Sequence, residues 1–382
     1  MRRKKRWPRV PHPIFAYGVF PPMISKTPPL LSPHRRRPRA TLSFFAGLFA
    51  LAAFTGGCGD NKATSENDSS PPTTTTNSTA AAPAANPNGP GKGLTIAVIP
   101  KGTTHVFWKA VHAGADKAGQ ETGATILWQG PQKENDAAKQ VEIVENAITN
   151  KVDGIVLAPL DKAALVPAIN KAKAANIPLT IFDSAADTDA YVSFVATDNV
   201  KGGEMAAERM GKLMNGKGTV AIIPVQPNSA STMDREDGFE KAIKAKFPGM
   251  TVIRSNYGNS DRTQSLRVTE DVLTAHPEIA GIFGPNESSI VGALQAVKNR
   301  ALVGKIKLVG FDSTKQLEES LESGDIDSLV IQNPFKMGEM GVHTIVDQHA
   351  GKTPEKRIDT GVVLMTKENM TTPEMQVLRS KD

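Results

Sequence analysis

The chain holds one cysteine among its 382 residues, so that thiol has no second thiol to pair with. No stretch is apolar enough to span a bilayer: the strongest, Thr41–Phe54, falls short of the roughly 20 residues a spanning helix needs. Acid is absent from the first 57 residues, which carry eleven Lys and Arg; from Cys58 onward 34 basic residues face 39 acidic ones, a balance of −5. The basic character therefore belongs to the front of the chain and does not point to nucleic acid. A phosphate loop is also missing, because Gly216-Lys-Gly218 precedes a strand instead of following one and no Gly-Lys-Ser/Thr comes after it.

What the front does contain is a signal. Arg35–Arg39 precede the apolar run Thr41–Phe54, and small residues lead to the only cysteine in Thr55-Gly-Gly-Cys58. A basic region, a short apolar core and a small-residue site describe a secretory signal peptide. Its end resembles the lipobox of bacterial lipoproteins, with Thr55 where Leu is usual; an ordinary signal peptide with an incidental cysteine is the alternative. Residues 1–57 are thus expected to be removed and Cys58 to carry lipid. The first 33 residues exceed a normal basic region, which leaves a start at Met23 or a long leader; Arg35-Arg36-Arg37 match a twin-arginine signal poorly. Residues 58–92, rich in Ser, Thr, Asn, Pro and Ala, read as a disordered tether. The expected product is exported, periplasmic or at the cell surface, and touches the membrane through a lipid anchor only.

The rest is organised around a unit that recurs three times between Pro277 and Pro334. Ile279–Phe283, Ile306–Gly310 and Ile326–Ile331 are short apolar runs, each followed by polar residues and a helix-spaced apolar pattern. Strands alternating with crossover helices are parallel, so the residues after each strand emerge at one sheet edge. Asn286, Asp312 and Gln332 are predicted to converge there, at the edge where open α/β sheets bind ligands. Each also suits a helix N-cap or turn. An amide, a carboxylate and a second amide offer donors and acceptors together, a mixture fitted to neutral hydroxyls. Upstream, strands at Leu94–Ile99, Thr125–Trp128, Gly154–Ala158, Ile177–Phe182 and Tyr191–Val195 alternate with helices and form a complete doubly wound half. Asp183 follows the fourth as Asp312 follows its own strand. A second half begins at Asn199, with strands Thr219–Ile223 and Met250–Asn256 and helices Ser231–Ala245 and Arg262–Ala275. Two similar halves imply a cleft between them.

Over residues 94–365 the chain resembles the periplasmic sugar-binding proteins of the ribose and galactose type, which also supply the sensor domains of lac-repressor-type regulators. The resemblance is carried by Phe107-Trp108, Ala175-Asn-Ile-Pro178, Thr197-Asp-Asn199 with Gly202-Gly203, Arg235–Phe239, Leu273-Thr-Ala-His-Pro277, Asn286, Val309-Gly-Phe-Asp312 and Gln332. It implies an α/β fold of two Rossmann-like, doubly wound parallel-sheet lobes joined by a three-crossing hinge near Thr197, Gln332 and Asp359. The first lobe would comprise residues 93–198 plus 333–358, the second 199–332 plus 359–382. Its ligand contacts fall on Phe107, Trp108, Asp183, Asn286, Asp312 and Gln332; an aromatic face suits the apolar side of a sugar ring. One of the two aromatics is expected in the helix core. There are departures: Ser184 stands where ribose-type members have Arg, and the family arginine of the second lobe falls at Met233, with Arg235 two residues on. Lys101-Gly-Thr-Thr-His105 replaces the usual first loop, and Tyr257 stands in for an aromatic near Ser260. Two lost guanidiniums argue against ribose itself.

The leading expectation is a monomeric substrate-binding lipoprotein that closes on a sugar or small polyol and delivers it to an ABC permease. A sensor coupled to a membrane receptor or kinase is the alternative. An enzyme is not expected: the five histidines after Cys58 are scattered, none beside a Ser or Cys nucleophile, and no His/Asp/Glu spacing has the form of a metal site. His105 alone lies near the cleft, as a loop or cap residue. No cofactor is expected, and a repressor would need a helix-turn-helix where the leader and tether stand.

Overall fold

Apolar strands buried along most or all of their length stand at the centre of the architecture, and with more exposed edge strands they build two sheets. The computed structural model describes residues 86–379; the leader, Cys58 and the tether up to residue 85 lie outside the described residues. The first sheet contains β1 (Thr95–Ile99), β2 (Thr125–Trp128), β3 (Gly154–Leu157), β4 (Leu179–Phe182) and β5 (Phe194–Ala196), interleaved with α1 (Val106–Thr122), α2 (Ala137–Thr149) and α3 (Val166–Ala174). Then α4 (Asn199–Leu213), β6 (Lys217–Ile222), α5 (Ala230–Lys246), β7 (Gly249–Arg254) and α6 (Arg262–Ala275) open the second lobe. It continues with β8 (Ile279–Phe283), α7 (Glu287–Asn299), β9 (Lys307–Phe311), α8 (Lys315–Ser323) and β10 (Ser328–Gln332). Last come α9 (Pro334–His349), β11 (Arg357–Asp359), β12 (Val362–Thr366) and α10 (Pro373–Leu378).

The sheet orders are β2-β1-β3-β4-β5-β11 and β7-β6-β8-β9-β10-β12. All pairings are parallel except β10 with β12. In each sheet the order reverses beside the first strand, which makes a topological switch point and opens a crevice at the carboxyl edge. The two orders are the same, so the fold is the expected pair of doubly wound α/β lobes. Alternate residues of β1 explain the layering: Ile96 and Val98 join the core under α1 and α9, while Ala97 and Ile99 join the core under α2 and α3.

Sheet membership shows the chain crossing between lobes at Thr197–Asp198, at Asn333, and at Thr360–Gly361 between β11 and β12. After β10 the chain returns, and α9 lies against α1. That crossing is close because Gly114 and Gly338 face each other's backbone: a Cβ at Gly338 would fall on the Val111 carbonyl oxygen, and one at Gly114 on that of Phe335. Helix starts follow the polar residues in the sequence, with Asp136, Asp198, Asp261, Asn286, Thr314 and Asn333 accepting the N–H three residues on.

Three details differ from the sequence reading. The fifth strand runs to Ala196 and starts only at Phe194, and β11 and β12, which the sequence did not reveal, add an edge to each sheet. The tether does not stay free to residue 92. The Asn86 N–H donates to the Gln120 carbonyl and the Gly91 N–H to that of Thr122, fixing residues 86–92 to the end of α1.

Candidate functional site

Two turns of the same kind supply the carboxylates. Phe182 ends β4 and Phe311 ends β9, and the following Asp183 and Asp312 both take left-handed backbone conformations, φ 58° and 71°. A non-glycine residue tolerates that region only at some cost, and such strain gathers where a side chain must be aimed. The turns lift both carboxylates off their sheets toward the cleft, where a cavity of about 30 Å³ lies. That is room for one or two waters.

Around Asp312 the bonds are specific. Its carboxylate accepts the Glu287 N–H at 2.9 Å and the Gln332 Nε2–H at 2.7 Å, while Gln332 Oε1 is buried and has no partner. Arg235 lies over the Phe311 ring at 3.9 Å and donates through Nε to Asn199 and through Nη1 to the Pro285 carbonyl. Burial pulls the Arg235 guanidinium below its ordinary value against the opposing charges of Asp312 and Asp183. Burial likewise pushes the Asp312 carboxyl up, against the pull of Arg235 and Gln332.

Asp183 is met by a cation from its own lobe. Lys101, at the end of β1, places Nζ 2.8 Å from Asp183 Oδ2, 2.8 Å from Ser231 Oγ and 3.4 Å from Ser229 Oγ. The two serines lie at the start of α5 in the other lobe, so this ammonium ties the lobes together across the cavity. Nearby, Ser184 Oγ accepts the Ser231 N–H at 3.1 Å, and Glu287 of the second lobe accepts the Val106 N–H at 3.1 Å. Glu134, from the loop after β2, accepts from His105 Nδ1 at 2.5 Å, Trp108 Nε1 at 2.5 Å and Ser260 Oγ at 2.9 Å. Burial alone would lower the His105 imidazole, but the Glu134 carboxylate outweighs it and carries its pKa up to about 9. Burial would raise Glu134, and His105, Trp108 and Lys101 together bring it down to about 2.

The chain matches the periplasmic binding protein domain over residues 96–353. It belongs to the periplasmic binding protein family. The ribose import binding protein RbsB of Bacillus subtilis is 30% identical over 276 residues, covering 72% of this chain and 88% of that protein. An ABC transporter solute binding protein from Agrobacterium vitis, solved with bound D-fucose, is 40% identical with a TM-score of 0.73, covering 75% of this chain and 99% of that one. A carbohydrate transporter solute binding protein from Agrobacterium radiobacter, solved with D-arabinose, is 37% identical with a TM-score of 0.72, covering 75% and 98%.

In this binding protein, Phe107, Trp108, Asp183, Arg235, Asn286, Asp312 and Gln332 all line the one cavity. Met233 does not; it is half-buried on α5, and Arg235 is the residue of that helix at the site. Trp108 is the core aromatic, edge-on to Phe107 and Phe182, while Phe107 is partly open. Asn286 is a helix cap, since its Oδ1 accepts the Ser289 N–H, and its Nδ2 reaches Ser260. Asp312 and Gln332 do not cap the helices that follow them, which Thr314 and Asn333 start; the Asp312 carboxylate instead accepts the first N–H of α7, that of Glu287. Tyr257 is 45% exposed and does not reach the cavity, so it replaces no aromatic there; Ser260 is at the cleft instead. His105 stands at the N-cap of α1 but caps nothing with its ring, which is bonded to Glu134.

Sequence reasoning missed Lys101, Glu134, Ser231 and Glu287, which come from four separate loops or helix starts. Spacing also hid Glu121, Glu339 and His343, whose ligand atoms lie within 4.8 Å of one another where α1 meets α9. Lys117 Nζ pairs with both of those carboxylates, which makes the group a surface ion cluster.

Proposed function

We propose that this chain is the substrate-binding lipoprotein of an ABC importer, exported and held to its membrane by lipid on Cys58, and that it closes on a sugar or similar small polyol between its lobes. The observation that carries the reading is Gln332. Its amide donates to Asp312 while its oxygen is buried with no partner, an arrangement that costs about 1–3 kcal/mol unless a donor arrives. A hydroxyl set between Gln332 Oε1 and the Asp312 carboxylate donates to either and accepts from its neighbours, which is what a polyol offers and a hydrocarbon does not. Asp183 and Arg235 repeat the acceptor and donor pairing, and the face of Phe107 suits the apolar side of a ring. The relatives that bind D-fucose and D-arabinose support the same chemistry. Ligand entry requires Lys101 to withdraw its ammonium from the middle of the cavity, so its link to Ser231 is exchanged for contacts to ligand.

A thermal-shift screen of pentoses, hexoses, 6-deoxyhexoses and polyols on the full chain tests the reading. Binding to the folded form alone raises the melting temperature with occupancy. Asp183→Asn and Asp312→Asn keep shape and remove the charged acceptor, and each is expected to weaken the best ligand about tenfold or more, since hydrogen bonds to charged groups contribute about 1.5–3 kcal/mol. A shift by nucleotides or peptides with none from any sugar overturns the reading.

A further inference from the structure

The cleft has two compartments, and one side chain stands between them. Outside the inner cavity, toward the loops at 104–105, 132–135 and 259–263, lies a second chamber of about 340 Å³. Its size falls in the range of ligand-sized pockets, and its lining of Gln132, Asn135, Asn259 and Arg262 is rich in groups that pair with hydroxyls. The inner cavity and the outer chamber share only His105 and Glu134. Glu134 is the inter-lobe part of that wall. Its carboxylate is anchored in the first lobe by His105 and Trp108 and crosses to Ser260 of the second.

Everything around Glu134 holds it in that place. Three donors converge on one carboxylate, so a rotamer change would leave the Trp108 N–H and the His105 ring without their partner. Gly102 gives it room against the first loop, since a Cβ there would come within 2.7 Å of Glu134 Cγ. Ser260, which receives it, follows Asn259 in a pair of consecutive left-handed residues, φ 51° and 52°, a strained turn that presents the hydroxyl to the cleft.

We propose that Glu134 is a length filter that limits the ligand to a single sugar ring. This rests on the sugar reading above and sharpens it. The inner cavity takes one or two waters while Lys101 lines it, so a single ring is admitted behind the wall only as that side chain withdraws, whereas a second ring linked to it must pass through the position of the carboxylate. The outer chamber has the volume and the polar lining to take that second ring once the wall is opened, so removal of the wall extends the site instead of merely damaging it.

The test compares the full chain with Glu134→Ala, which opens the wall, Glu134→Gln, which keeps its size and loses its charge, and Gly102→Ala, which displaces the carboxylate without removing it. The probes are D-fucose, D-arabinose and D-allose as single rings, and lactose, melibiose, maltose and cellobiose as two-ring sugars, read by calorimetry. The parent chain is expected to bind single rings and refuse all four disaccharides, and Glu134→Gln, whatever its single-ring affinity, to keep the same preference for one ring over two. In Glu134→Ala the affinity for at least one disaccharide relative to the best single ring is expected to rise about tenfold or more, with Gly102→Ala moving the same way. Disaccharide binding by the parent chain as tight as its single-ring binding overturns the filter. So does continued refusal by both opened variants, and a fold lost in one leaves the other to decide. Binding of no sugar at all by the parent chain sinks the sugar reading and the filter with it, while single-ring binding with unmoved selectivity sinks the filter alone.

Discussion

Replacing Lys101 by Met removes a cation from a place where the protein leaves it almost no water. Its side chain and that of Asp183 are each 4% exposed, with Nζ and Oδ2 2.8 Å apart. At an effective dielectric of about 20, two unit charges at that distance attract by roughly 6 kcal/mol, and taking both from water offsets much of this. Loss of one partner strands the other, at about 3–5 kcal/mol. Lys101→Met is therefore expected to cost about 3 kcal/mol, and Asp183→Asn somewhat less, because Ser229 and Ser231 still receive the ammonium. The double variant strands nothing, so its loss should fall short of the sum by about 2–3 kcal/mol. Urea unfolding of the four proteins without ligand, followed by tryptophan fluorescence, reads the right lobe: Trp108 and Trp128, the tryptophans among the described residues, both belong to the first. Losses that add within about 0.5 kcal/mol would show two independent groups and refute the pairing.

The His105–Glu134 pair gives a pH window. His105 rises from 6.5 to about 9 on folding, so its contribution is complete below 6.5 and lost as pH climbs through 9; Glu134 falls from 4.5 to about 2, so its contribution is complete above 4.5 and lost as pH drops through 2. The stability gap between the parent chain and His105→Gln, measured by urea midpoints, should be widest between 4.5 and 6.5 and shrink by on the order of 3 kcal/mol toward pH 10; a gap that stays flat speaks against the ion pair. Glu287 and Arg262 also face His105, and Glu236, whose buried carboxyl is pushed up to about 7, titrates alike in both proteins. Gly338→Ala is expected to destabilise by about 2 kcal/mol although alanine favours helix, because its methyl group meets the α1 backbone; an unchanged or higher melting temperature contradicts the close crossing. Mass spectrometry of the protein from its native membrane should find Cys58 as the lipid-bearing first residue, and an unmodified Cys58 within a retained leader excludes the anchor.

Most of the fold was legible because its central strands are buried on both faces and so read as uninterrupted apolar runs between helical patterns. β11 was not: Arg357-Ile-Asp359 is charged and half solvated at an edge, and three residues are too few for an alternation to stand out. The carboxylates of the site were legible for a related reason, since Phe-Asp-Ser stands at the end of a strand in each half, at 182–184 and 311–313. Lys101 and Glu134 carry no such signature. They meet the cavity from different loops, and only the folded chain brings the ammonium to Asp183 or the carboxylate to Ser260. Asn286 shows the converse, a residue whose sequence position fits both a cap and a ligand contact and whose side chain is already engaged as a cap.

The return of the chain through α9 and β11 has a consequence for how the protein comes into being. A ribosome delivers residues from the N-terminus, and a lobe made of one continuous segment could fold as soon as that segment emerged. The first lobe cannot: its edge strand ends at Asp359, and until α9 arrives Val111 and Ala115 of α1 have nothing to pack against on that face. The second lobe from Asn199 to Gln332 lacks its edge strand β12 and α10 but has a sheet of consecutive strands, so it is the nucleus that sequence order favours, while the first waits for contacts more than two hundred residues apart. The half that emerges first is therefore expected to finish last, with the face of α1 that meets α9 uncovered in the interval.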